Sequence, residues 1–507
     1  MSPTDAAAVP RPERTSAEVD AAALPEQAAA LLGDGARLAL VAAHQDPGGL
    51  RVVYLFTRTG PDRRTELHVR LDAADPVLPS LAGISFPAGR FEREMHDLYG
   101  IVPQDHPLPR RLVRHHHWPR GWYPMRDDAG PPPRFGDPEG PYPFVQVEGT
   151  GVYEIPVGPV HAGLIEPGHF RFSVVGESIL KLKARLWFVH KGIEKLFQGR
   201  LPADAVPLAE RVSGDTTVGH TLAFCLAVEE AADVRVAPEA QRARAILLEL
   251  ERLYNHVTDL GALCNDVGHS ILNAQFGRVR ERLLRLNAQV TGHRLLRGGV
   301  HLGGAVLRAL PDPATLGAVE ADIAEIVELA LGHTVVADRF TGTAPLSTQA
   351  ARDLGALGYV ARASGLDADA RRDHPFADLR AAPAVPTADT GDVLARFQIR
   401  AREITASIAF INDLTGDLGP SIHRQPLAPP PVPPVGPASG VGIVEGWRGT
   451  IVHRVELAPD GTLTRTKIVD PSFFNWPALP IALTGAIVPD FPLVNKSFNL
   501  SYAGNDL

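Results

Sequence analysis

Residues 158–200 read GPVHAGLIEPGHFRFSVVGESILKLKARLWFVHKGIEKLFQGR, and this stretch anchors the reading of the whole chain. It opens on a Gly/Pro loop that places His161, Glu166 and His169 within nine residues. Two imidazoles and a carboxylate so close together in a turn suit proton transfer, a quinone headgroup or a metal ion; a solvated turn is the plain alternative. Ile179, Leu180, Leu182, Leu186, Val189, Ile193 and Leu196 follow, and their spacing predicts a helix over 177–197.

Downstream, the same periodicity with charged opposite faces predicts helices over 239–263 and 275–297, with further helices over 314–332 and 392–415. The proline tract Pro426–Pro437 dictates a loop, because proline removes a backbone donor and clashes with the preceding turn. Gly442–Val455 and Thr462–Val469 read as strands around the turn Pro459-Asp460-Gly461. Upstream, residues 1–21 are rich in Ala, Pro and charge and are expected to form a disordered tail. A short helix fits Ala22–Leu32, and strands fit Arg37–Ala43, Leu50–Thr57 and Glu66–Leu71. The expected fold class is therefore α+β. A small α+β domain spans 22–126, a Pro/Gly-rich linker spans 127–149, and a large, mainly helical domain with a minor β portion spans 150–507.

Composition narrows the function. The chain has 507 residues, of which 45% are hydrophobic and 21% charged, as in ordinary globular proteins. Its net charge of −8 argues against a basic nucleic-acid surface. The most apolar run, Leu479–Val494, is interrupted by Pro480, Pro489, Asp490 and Pro492, so membrane contact is expected only through a partner. No glycine-rich phosphate loop stands at a strand–helix junction, so no direct nucleotide site is expected. Only two cysteines occur, Cys225 and Cys264, too few for a four-thiolate metal site or an iron–sulfur cluster. Three further polar groups stand out. Glu210–Thr217 reads either as a polar site with Ser213, Asp215 and Thr216 or as a helix start capped by a hydroxyl. His115–His117 beside Trp118 reads more readily as a loop than as a metal site, and Glu249, Arg252 and His256 read as a solvated or interhelical polar face.

Taken together, several segments resemble a known family. FPAGRFEREMHDLYGI (86–101) and HPLPRRLVRHHHWP (106–119) resemble the small hydrophilic subunit of respiratory NADH–quinone oxidoreductase. The stretch 158–200 resembles the large subunit of membrane-bound nickel–iron hydrogenases of the formate-hydrogenlyase type. So do ILLELERLYNHVTDLGALCNDVG (246–268), YVARASGLDADARRDHPFADL (359–379) and FFNWPALPIALTGAIVPDFPLVNKSFNLSY (473–502). The resemblance covers roughly residues 30–507, and the fusion of the two subunits occurs in that family.

The departures from the family pattern carry the functional expectation. The two thiolate pairs of the hydrogenase centre match Ser213 and Thr216 in the first motif, and Ser501 and Gly504 in the last. Hydroxyls and a hydrogen do not replace soft thiolates, so the resemblance implies a hydrogenase-like chain without nickel–iron chemistry. It also implies a quinone-contacting role for His161, with His169 beside it, and a proton-relay role for Glu166, with Asp215 beside it. The family's quinone-contacting tyrosine would fall near Gly214, where this chain has none. The implied setting is the inner, cytoplasmic face of the plasma membrane. There the chain would carry no cofactor itself and would work with a cluster-bearing small subunit, a ferredoxin-like subunit and antiporter-like membrane subunits. Electron transfer to a quinone and a silent, scaffolding role both remain open at this point.

Overall fold

The computed structural model describes residues 12–136, 142–162, 165–377, 382–418 and 438–507. Its first element is a strand, β1 (Glu13–Glu18), which corrects the expectation of a disordered tail over 1–21 for the part that is described. Residues 1–11 and the proline tract lie outside the described residues. α1 (Leu24–Gly33), β2 (Arg37–Asp46), β3 (Gly49–Arg58) and β4 (Arg63–Leu71) follow in the expected order. β2 and β3 form a hairpin closed by Pro47-Gly48, with Asp46 opposite Gly49, and β1 joins β4 in parallel. The sheet order is β1-β4-β3-β2. α2 (Phe86–Tyr99) packs along β2. Its first turn is set by the Ser85 hydroxyl, which accepts from Ala88 N, and its end by Gly100 in the left-handed region at φ 78°.

The run 177–197 begins as the second strand of a hairpin, not as the expected helix. β5 (Val152–Val157), β6 (His169–Val175) and β7 (Ser178–Arg185) make an antiparallel sheet, and the helix is only a single turn or so at Ile193–Phe197. Gly176-Glu177 forms a tight turn with Gly176 at φ 58°, and this pairing overrides the helical spacing of the apolar residues. The predicted long helices come out close to expectation as α4 (Pro238–Asp266), α5 (Ser270–Thr291), α6 (Pro313–Gly332) and α7 (Val393–Leu418), and α3 (Thr217–Ala231) starts after Thr216 with no side-chain cap. Gly442–Val455 is two strands instead of one. β8 (Ala438–Gly446) and β9 (Gly449–Leu457) turn at Trp447-Arg448, and β10 (Leu463–Val469) completes that sheet.

One continuous apolar core runs from the N-terminal sheet into the helical region. The two parts meet through charge as well. Alternation along β4 puts Leu67 and Val69 on one face and Arg64, Glu66 and His68 on the other. The second set meets the β8–β10 sheet. Arg454 holds Glu66 with two hydrogen bonds of 3.0 Å, and Arg64 Nη1 donates to Val441 O at 2.8 Å. Arg51 reaches Glu456 at 2.9 Å, and Lys467 reaches Glu94 at 2.7 Å. Phe91 of α2 stacks on Phe473 with ring centres 4.5 Å apart. No helix among the described residues is long and apolar enough to cross a membrane.

Glu66 and Arg454 are both about 1% exposed, so removing one partner leaves a charge buried without its counterion. Glu66→Ala is expected to cost roughly 3 kcal/mol, read as a lowered thermal midpoint of the full chain. An unchanged midpoint would show that this contact does not hold the two parts together.

Candidate functional site

The described ends of the 158–168 stretch bond to each other. His161 Nε2 donates to Gly168 O at 2.8 Å, and His169 Nδ1 donates to Gly158 O at 3.2 Å. One ring nitrogen of each histidine is thus committed to the loop's own backbone. Gly168 lies against the ring of Tyr502, and a Cβ there would come within 2.5 Å of it, so only glycine lets the loop sit this close. Glu166 Oε2 accepts from Ala503 N at 3.0 Å, which ties the loop to the segment carrying Ser501 and Gly504.

The motif Ser213–Thr216 arrives from the other side, just before α3. Ser213 Oγ lies 2.8 Å from Ser501 Oγ and 2.8 Å from Asp215 Oδ1, and Ser501 Oγ accepts from Gly504 N at 2.8 Å. Each hydroxyl carries one proton, so the set is satisfied when Ser501 donates to Ser213 and Ser213 donates to Asp215. Thr216 Oγ1 donates to Asp215 Oδ1 at 3.0 Å. The Arg448 guanidinium clamps both carboxylate oxygens at 2.8 and 2.7 Å, stacks on Trp447 at 3.9 Å, and donates through Nε to Asn499 O at 2.6 Å. Burial alone would raise the Asp215 carboxyl. Arg448, Ser213 and Thr216 outweigh that and hold it down at about 2.

Behind this layer lies a second one. His220 on α3 bridges Asp470 at 3.0 Å and His453 at 3.0 Å, all three fully buried. His453 Nδ1 meets no hydrogen-bond partner. The arrangement that leaves no buried N–H unpaired has His453 Nε2 donating to His220 Nδ1 and His220 Nε2 donating to Asp470. Burial holds His453 well below the usual imidazole range, in keeping with a neutral ring. Near Glu166, burial pushes the Asp506 carboxyl up to about 6, although Asn505 and Val189 N hydrogen-bond to it.

Of the residues expected at the site, Ser213, Asp215, Thr216, Ser501 and Gly504 are joined by hydrogen bonds, Glu166 reaches their segment through Ala503 N, and His161 and His169 bond within their own loop. Arg448 was hidden from the sequence because the strand pattern ran through it, although Gly446 and Gly449 on either side signal a turn. Asp470 and Asp506 carried no periodic signal. His115 is instead a structural group: it donates to Trp187 O at 3.0 Å, and burial followed by Arg185 brings it down to about 4. Glu249, Arg252 and His256 form an interhelical, not a solvated, face, each at most 1% exposed. Glu249 binds Arg252 and Arg371, and His256 binds Glu403 at 2.7 Å. Cys225 and Cys264 are buried in α3 and α4, where burial pushes both thiols up, Cys264 to about 12. No group of three or more His, Cys, Asp or Glu is placed to hold a metal ion among the described residues.

The chain matches the sequence profile of the respiratory-chain NADH dehydrogenase 30 Kd subunit over residues 17–133 and of the 49 Kd subunit over 266–431. Residues 191–264 match nickel-dependent hydrogenase. It is 32% identical to formate hydrogenlyase subunit 5 of Escherichia coli, over 87% of this chain and 79% of that protein. It is 29% identical to the fused C/D subunit of NADH-quinone oxidoreductase from Phocaeicola vulgatus, over 83% and 85%. A chain of the membrane-bound sulfane sulfur reductase, an archaeal respiratory membrane complex, shares the fold at a TM-score of 0.64 and 24% identity, covering 70% of this chain and 99% of that one. The nickel–iron centre of the hydrogenase branch does not fit the residues present. Three hydroxyls already spent on hydrogen bonds and a glycine offer no thiolate.

The two shifted carboxyls make opposite predictions for stability. Asp215 titrates lower in the folded chain, so its contribution is present above about pH 4 and is lost as pH falls towards about 2. Asp506 titrates higher, so the folded chain holds its proton longer, and stability falls as pH rises from about 4 to about 6. Thermal midpoints measured across this range should lose the acid-side fall in Asp215→Asn and the rise-side fall in Asp506→Asn. The fused small-subunit region, the shared large-subunit motifs and these matches place the chain in the family of fused core subunits common to membrane-bound hydrogenases and respiratory NADH–quinone oxidoreductases.

Proposed function

We propose that the chain is a metal-free, hydrogenase-like core subunit of a membrane-associated respiratory complex, passing electrons from a partner's iron–sulfur cluster to a quinone-type acceptor. The observation that carries this reading is the join between the loop and the former ligand positions. Glu166 is bonded to Ala503 N, and Ser501 is bonded to Ser213, so proton-active groups surround the place where the family holds its reactive centre.

In this reading His161 and His169 contact the acceptor headgroup, with their rings oriented by the carbonyls of Gly168 and Gly158. Glu166 is exposed at the loop and delivers protons, with Asp506 behind it and Asp215 held as an anion by Arg448. Electrons come from the cluster-bearing small subunit, fed through a ferredoxin-like subunit, and antiporter-like membrane subunits couple the reaction to ion movement. The chain then sits on the cytoplasmic, inner face of the plasma membrane through those partners. It binds no cofactor of its own.

One observation favours a second reading, a silent scaffold: the Ser213 and Ser501 hydroxyls are spent on each other and on Asp215, and Arg448 spends its donors on Asp215 and Asn499. Turnover of the assembled membrane complex with a soluble quinone separates the two. His161→Ala and Glu166→Gln should each lower turnover by about 100-fold with the complex still assembled. Unchanged turnover in both would reject the electron-transfer reading and favour the scaffold.

A further inference from the structure

We infer that Asp470 fills the place of the fourth metal ligand, so that the former nickel–iron site is closed by a carboxylate and not merely stripped of its thiolates. The fourth position of the family pattern is Gly504. A Cβ built on Gly504 would stand 2.5 Å from Asp470 Cγ, 2.5 Å from Oδ2 and 3.0 Å from Asp470 Cβ. A cysteine needs that Cβ before it can present a sulfur. The first atom of the missing ligand and the carboxylate therefore claim the same space.

Asp470 is not free to yield it. Its Oδ2 is held by His220 Nε2 at 3.0 Å, with His453 bonded behind that ring. Its Oδ1 accepts from Ser472 N at 2.7 Å, capping the short helix Pro471–Asn475. Asp470 directly follows β10, so its backbone is fixed by the sheet on one side and this helix on the other. A side chain pinned at both oxygens does not rotate away cheaply, unlike the end of a long flexible one. On the opposite side the Gly504 amide is tied to Ser501 Oγ, and Ser501 N to Ser472 Oγ at 2.9 Å. The segment of the old ligand motif thus rests directly on Asp470. Asp470 is a positioning residue: it supports the segment 501–506 through Gly504 and, by way of Ser472, Ser501 N.

The inference rests on the family pattern and on packing, and not on the quinone reading, so the two stand or fall separately. A double-mutant cycle on the full chain tests it. Gly504→Ala should lower the thermal midpoint clearly when Asp470 is present. In an Asp470→Gly background, which removes the Cβ, Cγ and Oδ2 together and is tolerated at a helix N-cap, the same change should cost little. A second measurement reads the site itself. The four-cysteine variant S213C/T216C/S501C/G504C, titrated with Co²⁺, should show no absorption of a tetrathiolate cobalt site while Asp470 remains. An equal cost of Gly504→Ala in both backgrounds, or a tetrathiolate cobalt band with Asp470 in place, would overturn the inference. Loss of quinone turnover in His161→Ala would leave it untouched.

Discussion

The guanidinium of Arg448 joins three pieces of chain that are far apart in sequence. It clamps the Asp215 carboxylate, donates to the Asn499 carbonyl and lies flat on Trp447, its own neighbour in the β8–β9 turn. Arg448 is about 4% exposed on its side chain, and a charge buried to that degree is tolerated only with its donors matched. That requirement fixes where the segment before α3, the β8–β9 turn and the C-terminal segment must meet. The serine pair Ser213–Ser501 forms as a consequence, because both residues flank atoms that Arg448 already holds. Glu166 is then brought in through Ala503.

The same logic runs through the helical region. α4 carries Arg244, Glu249, Glu251, Arg252, His256 and Asp259, none of them more than 1% exposed. Arg362 bonds Glu403 and Glu445, and Arg400 bonds Asp259 at 3.0 Å. Burying so many ionisable groups is expensive, and each has a partner from another element, Glu249 and Arg252 also pairing with each other within α4. Burial would raise the Glu403 carboxyl, but Arg362 and His256 keep it well below the usual range. A network of this kind adds little to stability over an apolar core, but it allows few alternative registers of α4 against α7. That rigidity suits a site built from the loop residues 165–168, the segment 213–216, the turn at Arg448 and the five-residue helix Tyr502–Asp506, which have little regular structure of their own.

Much of this was legible residue by residue. The long helices announced themselves through the 3.6-residue spacing of their apolar positions, and the β2–β3 hairpin through Pro47-Gly48 between two apolar runs. Where the reading failed, a local signal lost to pairing with a distant neighbour. The apolar residues of 177–197 fit a helix, but β6 was there to accept β7 as a strand. Glu13–Glu18 looked like tail composition, but the open edge of β4 pairs with it in parallel. Glu249, Arg252 and His256 of α4 left a solvated and an interhelical face both open, and the charges of other elements decide for the second.

By itself the sequence determined the chemistry available. The resemblance sets Ser213, Thr216, Ser501 and Gly504 at the family's thiolate positions, and the two cysteines are elsewhere; no folding can supply a sulfur that is not encoded. It also determined the family, because ordered motifs spread along the chain leave a pattern that no single element carries. Only the tertiary structure decided what took the place of the missing ligands. That Asp470 lies against Gly504, that Arg448 holds Asp215 and that Glu166 reaches Ala503 are facts about residues tens to hundreds of positions apart. Their meeting is set by packing and by the pairing of buried charges, which are properties of the folded chain and have no signature in local spacing.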